Sequence, residues 1–187
     1  MSDPLDQLRN VDLSHLSKQE AKEFTLLLEE LDLRDKRDSS AATFYDFVLN
    51  IWPEFIAGAH HKKMAEAFDK IANGESKRLI INMPPRHTKS EFASYLFPAY
   101  LLGKRPKLKI IEATHTADLA INFGRRVRDL IESDDYAEIF PSTQLKADSR
   151  SAGKWLTSQG GEYYASGIGG ALAGRGADLF IIDDPHS

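Results

Sequence analysis

The sequence predicts an α/β fold in which a parallel sheet is flanked by helices. Two short apolar runs, at residues 79–81 and 179–182, have the composition of buried strands. Between them, residues 109–114 indicate a further strand and residues 117–133 a long amphipathic helix. Strands that alternate with helices in this way are typical of parallel sheets with crossover helices.

The first 40 residues are predicted to form a helical appendage. Ser17 and Glu20 have the spacing of a capping box. The apolar residues that then recur at helical spacing are Ala21, Phe24, Leu27, Leu28 and Leu31. The segment RDKRDSS that follows has the composition of a linker. We therefore expect an appendage at residues 1–40, which either packs on the rest of the chain or docks a partner protein, and one α/β domain at residues 41–187.

Length and composition limit the classes of protein. The 187 residues suit one ordinary domain with a sizeable core. The sequence has no apolar run long enough to span a bilayer and no signal pattern at its N-terminus, so we expect a soluble protein that is not exported. The absence of cysteine excludes disulfides and thiolate metal sites. The net charge of −4 arises within residues 1–40, so no overall basic field attracts nucleic acid.

A proline-containing loop after the first apolar run has the pattern of a phosphate-binding site. Residues 59–71 indicate a helix that leads into the run, and Pro84-Pro85 ends the run by withholding backbone donors. Lys89-Ser90 then begin a segment of helical composition. A strand, a loop and a helix N-terminus that meet at a lysine and a hydroxyl form the arrangement of a P-loop. Met83 and Thr88 occupy the two glycine positions of that pattern, and the alternative is a buried strand, a proline turn and an exposed lysine.

The chemistry of a P-loop explains these residue types. Lys89 would contact the β- and γ-phosphates, and Ser90 would supply a hydroxyl oxygen to Mg²⁺. Without the glycines, the loop is expected to reach its shape with ordinary φ and ψ values. The candidate nucleotide-binding residues are Pro85, Arg86, His87, Thr88, Lys89 and Ser90. The upstream candidates for contact with an adenine base, which are alternatively core residues, are Trp52, Phe55 and His60.

A basic cluster lies in the long helix after the second predicted strand. Arg125, Arg126 and Arg128 form the densest group of cations in the chain. They indicate either a solvated helix face paired with Asp129 and Glu132 or a contact with a phosphate backbone.

Residues 141–160 are polar and turn-rich, and a predicted β-hairpin begins within them at residue 155. Residues 155–157 and 162–165 are separated by SQGG, which favours a tight hairpin connection. The glycine-rich loop that follows needs unusual dihedral angles or close approach, and a single arginine, Arg175, lies in its middle.

The second apolar run ends in two aspartates. Four apolar residues followed by an acid place a carboxylate at the C-terminal edge of a sheet, beside Mg²⁺ and the γ-phosphate. Asp183 would hold the magnesium shell, and Asp184 would orient or deprotonate an attacking water. Two turn-forming aspartates could also simply end the strand. The P-loop pattern and this strand together, in this order, favour an ATPase.

The segments PPRHTKSE and GRGADLFIIDDP resemble the large terminase subunit of tailed bacteriophages, the ATPase motor that packages DNA into procapsids. The resemblance covers roughly residues 44–187 and includes the FGRRVRDLIES helix and the WLTSQGGEYYASGIGG hairpin. It implies a P-loop ATPase domain of the additional-strand (ASCE) type that uses ATP and Mg²⁺. The implied partners are double-stranded DNA, the portal protein and the small terminase subunit, in a homo-oligomeric ring on the procapsid. The implied location is the host cytoplasm, transiently at the portal, without a membrane.

The resemblance also assigns roles to single residues. Lys89 and Ser90 match the P-loop lysine and hydroxyl of the family, and Asp183 matches the Walker B aspartate. Arg86 matches a basic residue of the loop, and Arg175 resembles the arginine that reaches the nucleotide of a neighbouring subunit. The catalytic candidates are Asp184, Arg175 and Arg86, and the magnesium-ligand candidates are Ser90 and Asp183.

Two departures from the family pattern bear on activity. Thr88 replaces the usual loop glycine, which affects the flexibility of the loop. Asp184 stands where many of these motors have glutamate, so either its shorter carboxylate approaches the water more closely or another acid takes the role. The chain stops just beyond the Walker B strand, so we expect the N-terminal piece of a longer protein, with an incomplete sheet and without the nuclease domain and activity of the family.

Two other function classes stay open at this point. One is a different P-loop enzyme, such as a helicase-like ATPase. The other is a non-catalytic, nucleotide-binding fragment that serves assembly, with the N-terminal helix as its docking element. Hydrolysis of ATP by the full-length protein, with and without DNA, separates the three.

Overall fold

A five-stranded mixed sheet with helices packed against it forms the protein, for which the computed structural model describes residues 8, 11–12, 15–170, 172 and 174–186. The helices are α1 (Lys18–Ala42), α2 (Phe44–Ile51), α3 (Ala59–Ala72), α4 (Phe97–Lys104), α5 (Ala117–Ile131) and α6 (Asp134–Ile139), and a π-helical segment, π1 (Glu91–Leu96), directly precedes α4. The strands are β1 (Lys109–Thr114), β2 (Leu145–Arg150), β3 (Lys154–Thr157), β4 (Glu162–Gly167) and β5 (Leu179–Asp183). No helix within these described residues is long and apolar enough to cross a membrane.

The sheet is parallel on one side and antiparallel on the other. Its strand order is β2-β3-β4-β1-β5, in which β1 pairs in parallel with β4 and β5. The predicted hairpin is confirmed, since β3 and β4 pair antiparallel with Trp155 opposite Tyr163. The expectation of a purely parallel sheet is therefore correct only for β4, β1 and β5. Sequence reasoning missed β2, because its polar residues lack the alternation that marks a half-buried strand.

Aromatic side chains of the helical layer form the centre of the core. The Phe44 ring lies edge-on or tilted against four neighbours at centroid distances of 5.2–5.5 Å. These neighbours are Phe68, Phe92, Phe97 and Tyr100. They come from α3, π1 and α4, so this cluster fixes the segment that follows the predicted P-loop against the helices that precede it.

A second contact joins α5 to the antiparallel part of the sheet. The Trp155 ring stacks on Tyr163 at 4.9 Å, and its indole N–H donates to the Gly124 carbonyl at 3.0 Å. A Cβ atom on Gly124 would lie 2.6 Å from the Ala152 carbonyl oxygen, so the helix approaches the hairpin closely only because this residue is glycine.

The N-terminal helix is longer than predicted. The capping box is confirmed, since Glu20 N–H donates to Ser17 Oγ and Ser17 N–H donates to the Glu20 carboxylate. The RDKRDSS segment is helical as far as Ala42, so its interpretation as a linker is wrong. Its charges support the helix, because Arg34 pairs with Glu30 one turn earlier.

The first apolar run does not form the predicted buried strand. Residues 78–84 belong to no helix or strand, and the Ile80 side chain is 86% exposed, although Ile81 packs against the core. A strand requires a hydrogen-bonded neighbour, and this segment is not part of the sheet that the described strands form. The second run does form β5, but as an edge strand with Phe180 and Ile182 about half exposed rather than buried on both faces.

Candidate functional site

The loop at residues 85–88, below called the candidate loop, turns by means of two left-handed residues. Arg86 has a φ of 62° and Thr88 a φ of 59°, whereas the φ of His87 between them is not positive. Such alternation is typical of backbone nests, in which successive N–H groups converge on an anion. The expectation of ordinary dihedral angles is therefore wrong. Thr88 adopts the conformation that favours glycine at this position, at a cost of roughly 1–2 kcal/mol.

Lys89 follows the candidate loop and points at two carboxylates from the far end of the chain. Its Nζ lies 2.7 Å from Asp184 Oδ1 and 3.5 Å from Asp183 Oδ1. The hydrogen bond to Asp184 raises the pKa of Lys89, burial opposes that effect, and the charge of Asp183 adds to it. The structure thus brings together the predicted P-loop lysine and the two predicted acids.

Strand pairing places the two aspartates at this position. The parallel register of β1 and β5 sets Asp183 opposite Thr114, at the carboxyl ends of both strands. The Asp183 side chain is buried, whereas that of Asp184 is 68% exposed. Asp184 has a φ of 41°, and its carbonyl accepts the His115 N–H at 3.2 Å. The two carboxylates therefore differ in access to solvent.

The donor atoms at this edge suit a hard cation bound together with phosphate. Ser90 begins the helix beside Lys89, and its side chain makes no capping hydrogen bond. Within the described ranges, no group of three or more histidine, aspartate or glutamate side chains could hold a metal ion by itself. Mg²⁺ usually takes only one or two carboxylates and completes its shell with phosphate oxygens and water, and the Ser90 hydroxyl and the Asp183 carboxylate are oxygen donors of the kind that this ion accepts.

A cavity of about 360 Å³ lies between the candidate loop and the helices that precede it. Its lining residues are Trp52, Glu54, Phe55, Ile56, His60, His61, Arg86, His87 and Thr88. The three residues predicted as base contacts therefore lie together beside the loop. Trp52 and Phe55 are only partly buried, and their rings pack at 5.1 Å, so they line the cavity and also support the core.

Arg126 of the predicted basic cluster supports the first turn after Ser90. Its two terminal nitrogens contact the two Glu91 carboxylate oxygens at 3.0 and 2.5 Å, and its guanidinium stacks over the Tyr95 ring at 4.2 Å. Arg128 pairs with Asp129 as predicted. The cluster is thus a solvated face only in part. Sequence reasoning missed the Glu91 contact because the two residues lie on different helices.

A buried acid, Glu112, lies in the middle of β1 and was also missed. Burial raises its pKa well above the usual range, the nearby Ser94 hydroxyl lowers it in part, and the charge of Asp183 raises it further. Its carboxyl oxygens, Ser94 Oγ and Tyr163 Oη make no hydrogen bond of normal geometry within the described residues. The run KIIEAT gives a signal for this residue, since an acid stands inside an otherwise apolar strand.

The structure does not bring Arg175 to the other candidates. Its guanidinium stacks over the Tyr164 ring at 3.8 Å, and its Nη1 lies 3.5 Å from Glu162 Oε1. Glu162 pairs in register with Lys109, at the amino ends of β4 and β1. Arg175 therefore lies at the opposite end of the strands from Asp183.

Comparisons of the chain with protein-family models, with curated proteins and with solved structures found no match. The function is therefore inferred from the candidate loop, Lys89, Ser90, Asp183 at the end of β5 and Asp184 directly after it.

Proposed function

We propose that this protein is an ATPase that forms the motor part of a terminase-type machine for packaging double-stranded DNA. One observation supports the ATPase most strongly. Lys89 contacts Asp184, 95 positions later in the sequence, and the preceding Asp183, at the carboxyl end of a parallel pair of strands. Nucleotide sites of open α/β sheets lie at such an edge.

The chain's own groups would divide the work of phosphoryl transfer. The backbone N–H groups of the candidate loop and the Lys89 ammonium would bind the phosphates in place of the present ion pair with Asp184. Arg86, which is exposed beside the cavity, would contact the same phosphates. The exposed Asp184 carboxylate would orient the attacking water and accept its proton. Mg²⁺, held by Ser90 and Asp183, would neutralise charge on the phosphates when bound.

The cavity beside the candidate loop would take the base of the nucleotide. Trp52, Phe55 and His60 line this cavity, and stacking on an aromatic face does not require a specific hydrogen-bond pattern. The phosphates would then extend from this cavity along the candidate loop towards Lys89.

The packaging role is carried by the resemblance of PPRHTKSE and GRGADLFIIDDP to large terminase subunits. On this proposal the partners are double-stranded DNA, the portal protein and the small terminase subunit. The protein would work as a ring of identical subunits at the procapsid portal in the host cytoplasm.

The test is ATP hydrolysis by the full-length protein, with and without double-stranded DNA. We expect Lys89→Ala to abolish turnover without unfolding the protein, because removal of one charged phosphate contact costs several kcal/mol of transition-state stabilisation. Lys63→Ala, which removes an exposed lysine on α3, is the matched control and should behave as wild type. Turnover by Lys89→Ala at the wild-type rate would rule out the ATPase. Binding of ATP by the wild type without turnover, with or without DNA, would instead favour a non-catalytic assembly role.

A further inference from the structure

A histidine of α3 connects that helix to the candidate loop. The His61 side chain is buried, and its Nδ1 lies 2.9 Å from the Gly58 amide nitrogen. Its Nε2 lies 2.5 Å from Thr88 Oγ1. The Phe55 and Phe92 rings pack against the imidazole at centroid distances of 4.7 and 5.6 Å. The orientation of the ring is therefore fixed on both of its polar sides and by its apolar neighbours.

The contact with Gly58 determines which nitrogen of His61 carries the hydrogen. A backbone N–H can only donate, so Nδ1 must present its lone pair. In a neutral imidazole the other nitrogen is then protonated, and Nε2–H donates to the Thr88 hydroxyl oxygen. Burial, followed by the positive charges that His60 and His87 can carry, lowers the pKa of His61 and so favours this neutral form.

Thr88 needs such a partner because of its backbone. Its φ of 59° lies in the left-handed region, which is unfavourable for a β-branched residue. The Thr88 carbonyl accepts the Phe92 N–H at 3.0 Å, one of the first hydrogen bonds of the helix that begins with Lys89 and Ser90. A change in the conformation of Thr88 would therefore also displace the lysine and the hydroxyl of the site.

We propose that His61 is a positioning residue that holds Thr88 in its left-handed conformation and thereby keeps the candidate loop in the shape that binds phosphate. The inference rests on the proposed function. It adds to that function the residue that supports threonine at a position where the P-loop pattern has glycine. Glycine adopts a positive φ without help, whereas threonine at this position requires the hydrogen bond from His61. The hydrogen bond from His61 of α3 thus offsets the conformational cost of having threonine instead of glycine at this position of the loop.

Three variants of the full chain separate the contacts of His61. His61→Asn keeps a short acceptor for the Gly58 amide but cannot reach Thr88. His61→Gln places an amide N–H near the position of Nε2 and can still donate to Thr88. Thr88→Gly removes both the hydroxyl and the need for it, so His61→Asn should have no further effect on the loop in that background.

The first readout is hydrogen exchange of the Phe92 amide in the nucleotide-free protein, because this amide is bonded to Thr88. We expect His61→Asn to accelerate its exchange by about twofold to tenfold, the effect of one neutral hydrogen bond. His61→Gln should restore most of the protection. Exchange at the wild-type rate in His61→Asn would overturn the inference. If His61→Asn fails to fold, Thr88→Val must show the faster exchange and Thr88→Ser must not, and equal rates in these two would overturn it as well.

The second readout is the affinity for a non-hydrolysable ATP analogue. It should fall in His61→Asn by a factor similar to that seen in exchange, and return when Thr88→Gly is added. Changed exchange with unchanged affinity would overturn the role of His61 in phosphate binding. If the wild type binds no analogue while the exchange pattern is as expected, the proposed function fails and the His61–Thr88 hydrogen bond is confirmed as a purely structural contact.

Discussion

At the scale of single residues, the candidate site depends on two contacts between distant segments, that of Lys89 with Asp183 and Asp184 and that of His61 with Thr88. Lys89, Ser90, Asp183 and Asp184 each follow a recognisable local pattern, and the parallel pairing of β1 and β5 brings the acids to the lysine. His61 gave a weaker signal. It stands at helical spacing with the buried Met64, Ala65 and Phe68, which marks a buried polar position without showing its partner. A contact between distant segments, such as His61 with Thr88, depends on packing that a local pattern does not contain.

The unequal exposure of the two aspartates leads to opposite predictions for their amides. Asp184→Asn should keep nucleotide binding and reduce hydrolysis by about 10²–10⁴-fold, because an amide cannot accept a proton from water. Asp183→Asn should instead weaken Mg²⁺-dependent binding. Titration of a nucleotide analogue at several Mg²⁺ concentrations, together with single-turnover hydrolysis, checks both. If the two variants bind and hydrolyse alike, the roles are wrongly divided.

The lowered pKa of His61 predicts how stability responds to acid. The ring is neutral in the folded state and has an unfolded pKa near 6.5, so the unfolded chain takes up the proton first as the pH falls. The contribution of the neutral His61 side chain to the free energy of unfolding is therefore present above pH 6.5. It is lost as the pH falls from there towards the pKa of His61 in the folded state. Urea unfolding between pH 7.5 and 5 should show a shallower loss in His61→Asn than in the wild type. An identical pH dependence of the two proteins would contradict the assignment.

At the scale of elements, the apolar pattern predicts where strands can form but not whether they pair. Residues 79–81 and 179–182 look alike in sequence, yet only the second run pairs with β1. Local chemistry did predict the β3–β4 hairpin and the start of α1, because a tight turn and a capping box act within a few residues. The length of α1 does not follow from its composition, because charged residues are typical both of linkers and of exposed helix faces, and here Arg34 pairs with Glu30 along the helix.

The close approach of α5 to the hairpin predicts the effect of Gly124→Ala. The new methyl group would meet the Ala152 carbonyl oxygen at 2.6 Å and the Tyr163 ring at 3.1 Å. Overpacking of this kind costs up to about 3 kcal/mol, and the better helix propensity of alanine offsets about 1 kcal/mol of it. We expect a net loss of about 2 kcal/mol in urea unfolding. Gly169→Ala, where a Cβ meets no atom within 4 Å, is the control and should stay within about 0.5 kcal/mol of wild type.

At the scale of the whole molecule, Arg175 decides whether the site is complete within one chain. It lies at the far end of the strands from Lys89, away from the candidate site of its own chain. Its contacts with Tyr164 and Glu162 are also those expected if it only braces its own chain. The sequence could suggest either role but not the geometry between subunits, because that geometry belongs to the assembly.

Mixing of two inactive variants distinguishes these roles. Lys89→Ala subunits keep Arg175, and Arg175→Ala subunits keep the candidate loop, so their mixture should regain turnover if Arg175 acts across subunits. The expected gain at a complemented interface is large, since an arginine at the γ-phosphate contributes roughly 10³–10⁵ in rate. ATP hydrolysis is measured over a range of mixing ratios at concentrations where assembly is verified. Absence of rescue at every ratio would assign Arg175 to its own chain.

The outer edge of β5 favours self-association of the chain, and self-association competes with correct folding. Its backbone amides and carbonyls have no strand partner on that side within the described chain, and the exposed Phe180 and Ile182 side chains lie along the same strand. An unpaired apolar edge is a template on which a second copy can add a strand. The tendency of the protein to aggregate in solution will therefore depend on what covers the five residues Leu179–Asp183 more than on the net charge of the chain.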